Sequence, residues 1–486
     1  MYSMEFFAGL EIRGAVTDDP ATLAQYQTQN PLLEDTNPPL CVIRPEDTPD
    51  LKVLLRSQGP KVVPVSSGGP HRRGGIACDS SHAVVDLSHW DSIPWINRRN
   101  RVCIIQPGVT YGQLAEALRP HGMAVPMPLA PRSTKSVLAA VLDREPSTWP
   151  NKQWDYQDPV ASTEFVFGTG DLFRSGAAGG PGSLEDQRRS KGAQKSPLGP
   201  GQSDFQRVVM GSQGSLGVMT WISLRTELAP SVEEPFLVGD GDLSRIIPFF
   251  YAVQRPWLGE QAFILNRTAA AMLMSRHQPE NFSAIRESLP EYVCLQNIAG
   301  FERLPQERLN YQKADIQDMA RRNGLELKNR LGDISAPALL QTATTVCGPR
   351  DWRHGLLGHC LSVIFLSGLD QTPKHMETFK QALARAGLDE TLGGAYFQPV
   401  VQNHACHCEF LIPFDPTNPK TIAAMKSLER DLCRTLARTG AFFSRPYGAA
   451  LEFAFEGNPG HEKLMRLAKR LFDPSGNLHP GKFNLP

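Results

Sequence analysis

The chain has 486 residues, 41% hydrophobic and 21% charged, a length at which two cores are expected. Its 50 basic and 50 acidic side chains cancel, so no net field exists to recruit nucleic acid or an anionic membrane. No apolar run reaches the roughly 18 residues of a spanning helix, and Met1-Tyr-Ser-Met-Glu-Phe-Phe-Ala lacks the basic region of a secretory leader.

The nine cysteines are an odd number in such a chain, which points to reduced thiols and a cytoplasmic protein. Cys41, Cys78, Cys103, Cys294, Cys347, Cys360 and Cys433 stand singly, and Cys406 and Cys408 form only a C-x-C pair. No run has the spacing of an iron–sulfur ligand set. A redox protein built on this chain needs an organic cofactor and a separate route for its electrons.

In chain order, residues 1–37 are a lead-in of modest regularity. A turn at 45–50 opens a short amphipathic helix over 48–57. A strand follows at 61–65, then a glycine loop at 66–75, then strands at 83–87 and 101–106. Pro107-Gly-Val-Thr-Tyr111 starts a helix that ends at Leu118, before Pro120 and Gly122. Residues 163–175 read as a hairpin with a glycine turn, and 177–204 as a long polar loop. Three glycines within Gly211-Ser-Gln-Gly-Ser-Leu-Gly217 run into a strand over 218–224.

From residue 229 the texture changes. Helices are expected near 242–253, 305–323, 372–386 and 417–438, with strands at 293–301, 361–366, 395–401 and 406–412. This predicts a second, α+β unit: an open sheet covered on one face by helices, its pattern repeated. Residues 471–486 form a turn-rich tail.

Two glycine segments carry chemistry. Ser66, Ser67, Gly68, Gly69, Pro70 and His71 follow a strand, which is the context for a backbone nest that binds phosphate oxygens, with Arg72 and Arg73 adding charge. At Gly211, Gly214 and Gly217 the absent Cβ permits positive φ and close approach to a flat ligand, and Ser212 and Ser215 add hydroxyls. Taken singly, each segment reads equally as a plain turn.

Together they resemble known motifs. The first is similar to the RGxGTxxxGG pyrophosphate loop, and the second to GSEGTLGI(I/V)T, of FAD-binding oxidoreductases of the vanillyl-alcohol oxidase/p-cresol methylhydroxylase superfamily. Gln106-Pro-Gly-Val-Thr, the segment 126–134, the hairpin 168–176 and Phe472-Asp-Pro-Ser-Gly-Asn-Leu-His-Pro-Gly-Lys482 resemble further landmarks of that superfamily, in its order. The chain is identified as a member similar to glycolate oxidase and D-lactate dehydrogenase.

The resemblance implies an α+β fold. A two-subdomain FAD-binding domain spans 38–228 after the lead-in 1–37. A cap with a helix-covered antiparallel sheet spans 229–470, and the tail 471–486 rejoins the first domain. It also implies FAD contacts from Ser66, Ser67, Gly68, Gly69, Pro70, His71, Pro131, Ser133, Thr134, Ser136, Gly211, Gly214, Ser215, Gly217, Val218 and Lys482. Three departures stand out. Pro70 occupies the place of the covalent histidine, with His71 one residue later, so non-covalent FAD is expected. Residues 135–146 lack the paired glycines of the flavin-side element. His479 stands where the tail has asparagine.

For the reaction, hydride would pass from a small alcohol or 2-hydroxy acid to flavin N5, which needs a group to take the substrate proton. His404 and His407 lie on an expected strand, where alternation puts His404, Cys406 and Cys408 on one face and His407 and Glu409 on the other. They read as one buried and one exposed structural histidine, or as a catalytic base; no metal is expected. Arg445 and Tyr447 suit either a carboxylate clamp or a phenolate site, so oxidation of a para-alkyl phenol or aromatic alcohol is the alternative. A third reading is a flavin subunit in a larger complex or oligomer, docked through 177–204 to an iron–sulfur or cytochrome partner.

Overall fold

A computed structural model describes residues 4–33, 37–57, 59–72, 80–153, 158–189, 197–199, 205–402 and 404–484. Arg73, Gly74, Gly75, Cys78 and most of 190–204 lie outside the described residues.

The first sheet has the order Ala15–Thr17, Cys41–Arg44, His82–Asp86, Lys61–Val65. Its last three strands are parallel. A parallel sheet is covered on both faces and reads as unbroken apolar runs, which is why Cys41, Val42, Ile43, Val84 and Val85 are all buried. The helix Thr48–Arg56 makes the crossover. Asp47 caps it by accepting from Asp50 N, and Leu51, Leu54 and Leu55 face the sheet.

The second sheet is antiparallel, in the order Trp95–Asn97, Val102–Ile105, Gly217–Arg225, Val160–Phe167, Leu172–Arg174. Val166 and Val218 from its central strands enter the same core as Leu51 and Val62 of the first sheet, so the two sheets pack as one body. The helix Tyr111–Leu118 begins in a reciprocal capping box of Thr110 and Gln113. Within the expected polar loop a helix forms over Leu184–Arg189.

The third sheet has six antiparallel strands, ordered Val232–Asp240, Tyr292–Gly300, Ala262–Asn266, Gly394–Val400, Ala405–Phe414, His359–Ser367. Each half pairs its first strand with its third and its third with its second, and the second strands meet at Ile264↔Phe397 and Leu265↔Tyr396. The order is mirrored about that seam, so the repeated texture of the sequence is a two-fold repeat in space. Leu243–Gln254, Pro305–Arg322, Thr372–Arg385 and Pro419–Arg438 follow the first and third strands of the halves and share one core against one face. The other face is covered in part by Arg267–Met274 and Ala336–Thr344, two helices that the sequence reading lacks.

The tail returns to the first sheet. Val62 N donates to Asn477 O at 2.7 Å and His479 N to Val62 O at 2.8 Å, so residues 477–479 line up beside Lys61–Val65. Lys469, at the end of the helix Pro459–Phe472, secures that return. Its buried ammonium donates to Asp473 Oδ2 (2.6 Å), Leu478 O (2.6 Å) and Ser215 O (2.8 Å).

Candidate functional site

A cleft of about 1570 Å³, its open mouth included, runs between the first two sheets and the third. Residues from three segments make one side: 64–72, 129–139 and 209–219. Asp351, Arg353, His354 and Tyr447 close the other.

Ser66, Ser67, Pro70, His71, Pro131, Gly214, Gly217 and Val218 line it. The other FAD candidates stand behind the wall and shape it. Gly68 N donates to Thr134 O at 3.0 Å, Thr134 Oγ1 donates to Gly69 O at 2.8 Å, and Arg132 Nη1 bonds Gly68 O at 2.7 Å. Ser136 is fully buried, caps the helix Val137–Leu142 and donates its backbone N–H to Ser67 Oγ at 3.0 Å. Ser133 N bonds Gly348 O, and Ser215 Oγ bonds Ser212 O. Gly211 and Gly214 adopt φ of +80° and +76°, the left-handed region that favours glycine. Lys482 is half-buried, with its ammonium 5.4 Å from the Tyr447 ring centroid rather than on the wall.

Behind Asp143, Asp351, Arg353, His354 and Tyr447, which line the cleft, runs a buried charged network whose members His407, Glu409 and Arg445 are not themselves on the wall. Arg353 is buried and grips Glu409 through two parallel bonds, Nε–Oε1 at 2.9 Å and Nη2–Oε2 at 2.7 Å, while its Nη1 lies 3.3 Å from Asp351. His407 Nε2 is 3.8 Å from Glu409 Oε2, and His407 Nδ1 is 3.5 Å from Arg445 Nη2. Arg445 Nη1 lies 3.7 Å from Asp143 Oδ2, and Tyr447 Oη donates to Asp143 Oδ1 at 2.7 Å. Arg445 is 3% exposed, and its Nε and Nη1 have no hydrogen-bond partner among the described residues.

His407 and Glu409 share the site face of their strand, while Cys406 and Cys408 point into the helix-covered core, as alternation requires. His404 departs from the expectation. The strand starts at Ala405, and His404 sits exposed in the preceding turn, off the wall.

Burial, aided by Arg445 and Arg353 and opposed by Glu409, pushes His407 down to about 4. Burial does the same to His71, beside Arg132, and to His359, beside Arg72. Each stays neutral in the folded chain but takes a proton near 6.5 once unfolded. Between about 4 and 6.5 the unfolded state therefore binds more protons, and stability rises with pH. The thermal midpoint is expected to fall steadily on acidification through that window. A midpoint that stays flat there would refute the buried neutral histidines.

Sequence reasoning missed Asp143, Arg353 and Arg132. Asp143 lies in the segment 135–146 that departs from the family pattern, and that departure was the signal available. Arg353 carries no local signal, because its partner Glu409 is 56 positions away.

The comparisons agree with this geometry. A family model described as FAD binding domain matches residues 39–176. D-2-hydroxyglutarate dehydrogenase of Stutzerimonas stutzeri (strain A1501) is 20% identical over 460 residues, covering 91% of this chain and 90% of the relative. Residues 39–176 therefore carry an FAD-binding domain, and nearly the whole chain is similar to a hydroxy-acid dehydrogenase. The protein is an FAD-dependent oxidoreductase. Mitochondrial D-lactate dehydrogenase [cytochrome] of Arabidopsis thaliana is 24% identical over 204 residues, 42% of this flavoprotein and 33% of that chain. In fold, the flavoprotein is similar to p-cresol methylhydroxylase with substrate bound (TM-score 0.80, 18% identity, 97% of this chain and 94% of that one). It is equally similar to the isoeugenol complex of 4-ethylphenol oxidase from Gulosibacter chungangensis (TM-score 0.78, 18% identity, the same coverage).

The wall suits that cofactor. A Cβ on Gly214 would meet Pro64 Cγ at 2.7 Å and one on Gly217 would meet Val166 O at 3.0 Å, so close packing of the wall requires glycine at both positions. Arg72 and Arg132 bring positive charge to the stretch lined by Ser66 and Ser67, where a diphosphate needs it.

Proposed function

We propose that the protein dehydrogenates a 2-hydroxy acid. FAD would be held without a covalent bond by Ser66, Ser67, Pro70, His71, Arg132, Gly214, Gly217 and Val218. Residues 38–228 would form the FAD-binding domain and 229–470 the cap, with 471–486 as its returning tail. Bound FAD supplies a two-electron acceptor for the substrate's hydrogen.

The observation that carries the reading is Arg445. A buried guanidinium with two nitrogens lacking hydrogen bonds is costly for folding alone, and a substrate carboxylate would satisfy them. Beside it, His407 is neutral and can accept the hydroxyl proton, while Glu409, held by Arg353, stabilises the imidazolium that results. Asp143 orients Arg445 and Tyr447 together. The 2-hydroxy-acid relatives support the same assignment.

A second reading, oxidation of a para-alkyl phenol, draws on Tyr447 at the wall and on the two phenol-acting structural neighbours. Against it, the Tyr447 hydroxyl donates to Asp143, and that carboxylate repels a phenolate. The electron acceptor would be a separate redox protein, in line with the relative whose name carries a cytochrome. The cytoplasmic assignment rests on cysteines that are free and buried wherever they are described.

Anaerobic titration of the purified, FAD-loaded protein decides between the readings. A panel of 2-hydroxy acids is expected to bleach the flavin band and para-alkyl phenols to leave it unchanged. Bleaching by a phenol and by no 2-hydroxy acid reverses the assignment.

A further inference from the structure

The helix Pro459–Phe472 is built against the usual economy of a surface helix. Leu464, Leu467 and Leu471 are 66%, 44% and 66% exposed. At 3.6 residues per turn these three share an arc of about 60°. Lys469 and Phe472, on another side of the helix, hold it to the protein. The burial of Lys469 and its bonds to Asp473, Ser215 and Leu478 lock that orientation, so the leucines cannot roll inward. Lys463 and Arg470, both exposed, run along one edge of the stripe about 20° apart, and Arg466 beyond them is paired with Glu462 at 2.9 Å.

We propose that this leucine stripe is a docking face for an anionic lipid surface, with the helix lying flat in the headgroup region. Charge complementarity argues for it: an apolar stripe edged by lysine and arginine is the pattern of interfacial helices, which sink their apolar side chains while the basic edge meets lipid phosphates. None of the residues lining the site cleft belongs to this helix, so the stripe is separate from the substrate site. A second copy is a poor occupant. Antiparallel pairing of two stripes through Leu467 would bring Lys463 of one copy beside Arg470 of the other, like charge against like. The zero net charge of the whole chain hides this local patch.

The test is flotation of the full-length, FAD-loaded protein with vesicles of phosphatidylcholine alone and of phosphatidylcholine mixed with phosphatidylglycerol. The wild type is expected to float with the mixed vesicles and to be released by salt. L464Q/L467Q/L471Q is expected to lower partitioning about tenfold or more, and K463E/R470E about fivefold per charge. Flavin absorbance and melting should match the wild type in both variants, since neither touches the cleft. Three results overturn the proposal. The first is no flotation with mixed vesicles. The second is flotation that the leucine variant leaves intact. The third is a wild-type dimer, or a complex with an acidic protein, that the leucine variant dissolves while vesicles bind neither form.

Discussion

Arg445→Met is expected to retain FAD and to lose about 10²- to 10³-fold in kcat/KM for a 2-hydroxy acid, the value of a paired charge-assisted contact to a carboxylate. Two effects of the change can be separated. Arg445 Nε and Nη1 make no hydrogen bond among the described residues, but Nη1 lies 3.7 Å from Asp143, so the variant also loses that ion pair and its melting temperature should fall, an effect read separately from kcat/KM. The loss should fall on substrates and inhibitors that carry a carboxylate. Arg445 also lowers the His407 pKa, so its removal should move the acid limb of the pH profile to higher pH. Arg445→Lys is expected to recover only part of the activity, because a single ammonium cannot replace a planar pair of donors. An unchanged kcat/KM in Arg445→Met would remove the arginine from the substrate site, and with it the main support for a hydroxy-acid substrate.

Lys469→Met is expected to cost about 3–5 kcal/mol of stability, the penalty for leaving a buried charge without its partner. The carboxylate left behind is Asp473, which also accepts from Asn477 N at 3.1 Å and Leu478 N at 2.8 Å. Lys469 joins three separate pieces of the chain: its own helix, the returning tail at Leu478 and the glycine loop at Ser215. Losing it should release the tail from the first sheet and slacken the loop beside Gly214 and Gly217, so FAD affinity should fall with stability. Adding Asp473→Asn removes the orphaned charge, and the double variant should regain at least about 1 kcal/mol relative to additive losses. Chemical denaturation and ultrafiltration of released flavin measure the two effects. A Lys469→Met protein as stable as the wild type would show that the ammonium is not the clamp described here.

The parts of the site that the sequence made legible are those with local backbone demands. A glycine that must take positive φ, as Gly214 does, or that must bear no Cβ, as Gly217 does, leaves a mark in a few consecutive residues. The same holds for the helix Thr48–Arg56, with its cap and apolar periodicity, and for the alternation that separates His407 from Cys406. Order along the chain then joined the glycine segments into one family pattern.

What stayed hidden involves residues far apart in the chain. Tyr447 and Asp143 are 304 positions apart, and Arg353 and Glu409 are 56. No short window contains both members of either pair, so their charges read as ordinary surface groups. His404 shows the converse error. Period-two alternation placed it in a strand, but the short turn that joins the second and third strands of the second half ends just after it and leaves it in solvent. Leu464, Leu467 and Leu471 have the spacing of a core stripe. Only the burial of Lys469 on another side of the same helix decides that they face outward. The sequence by itself determined an FAD-binding chain, through the resemblance of its ordered glycine segments and tail to known motifs, because cofactor contacts are made by local backbone. Tertiary structure alone decided which charged groups surround the substrate and which apolar ones remain outside, because both depend on how distant segments pack.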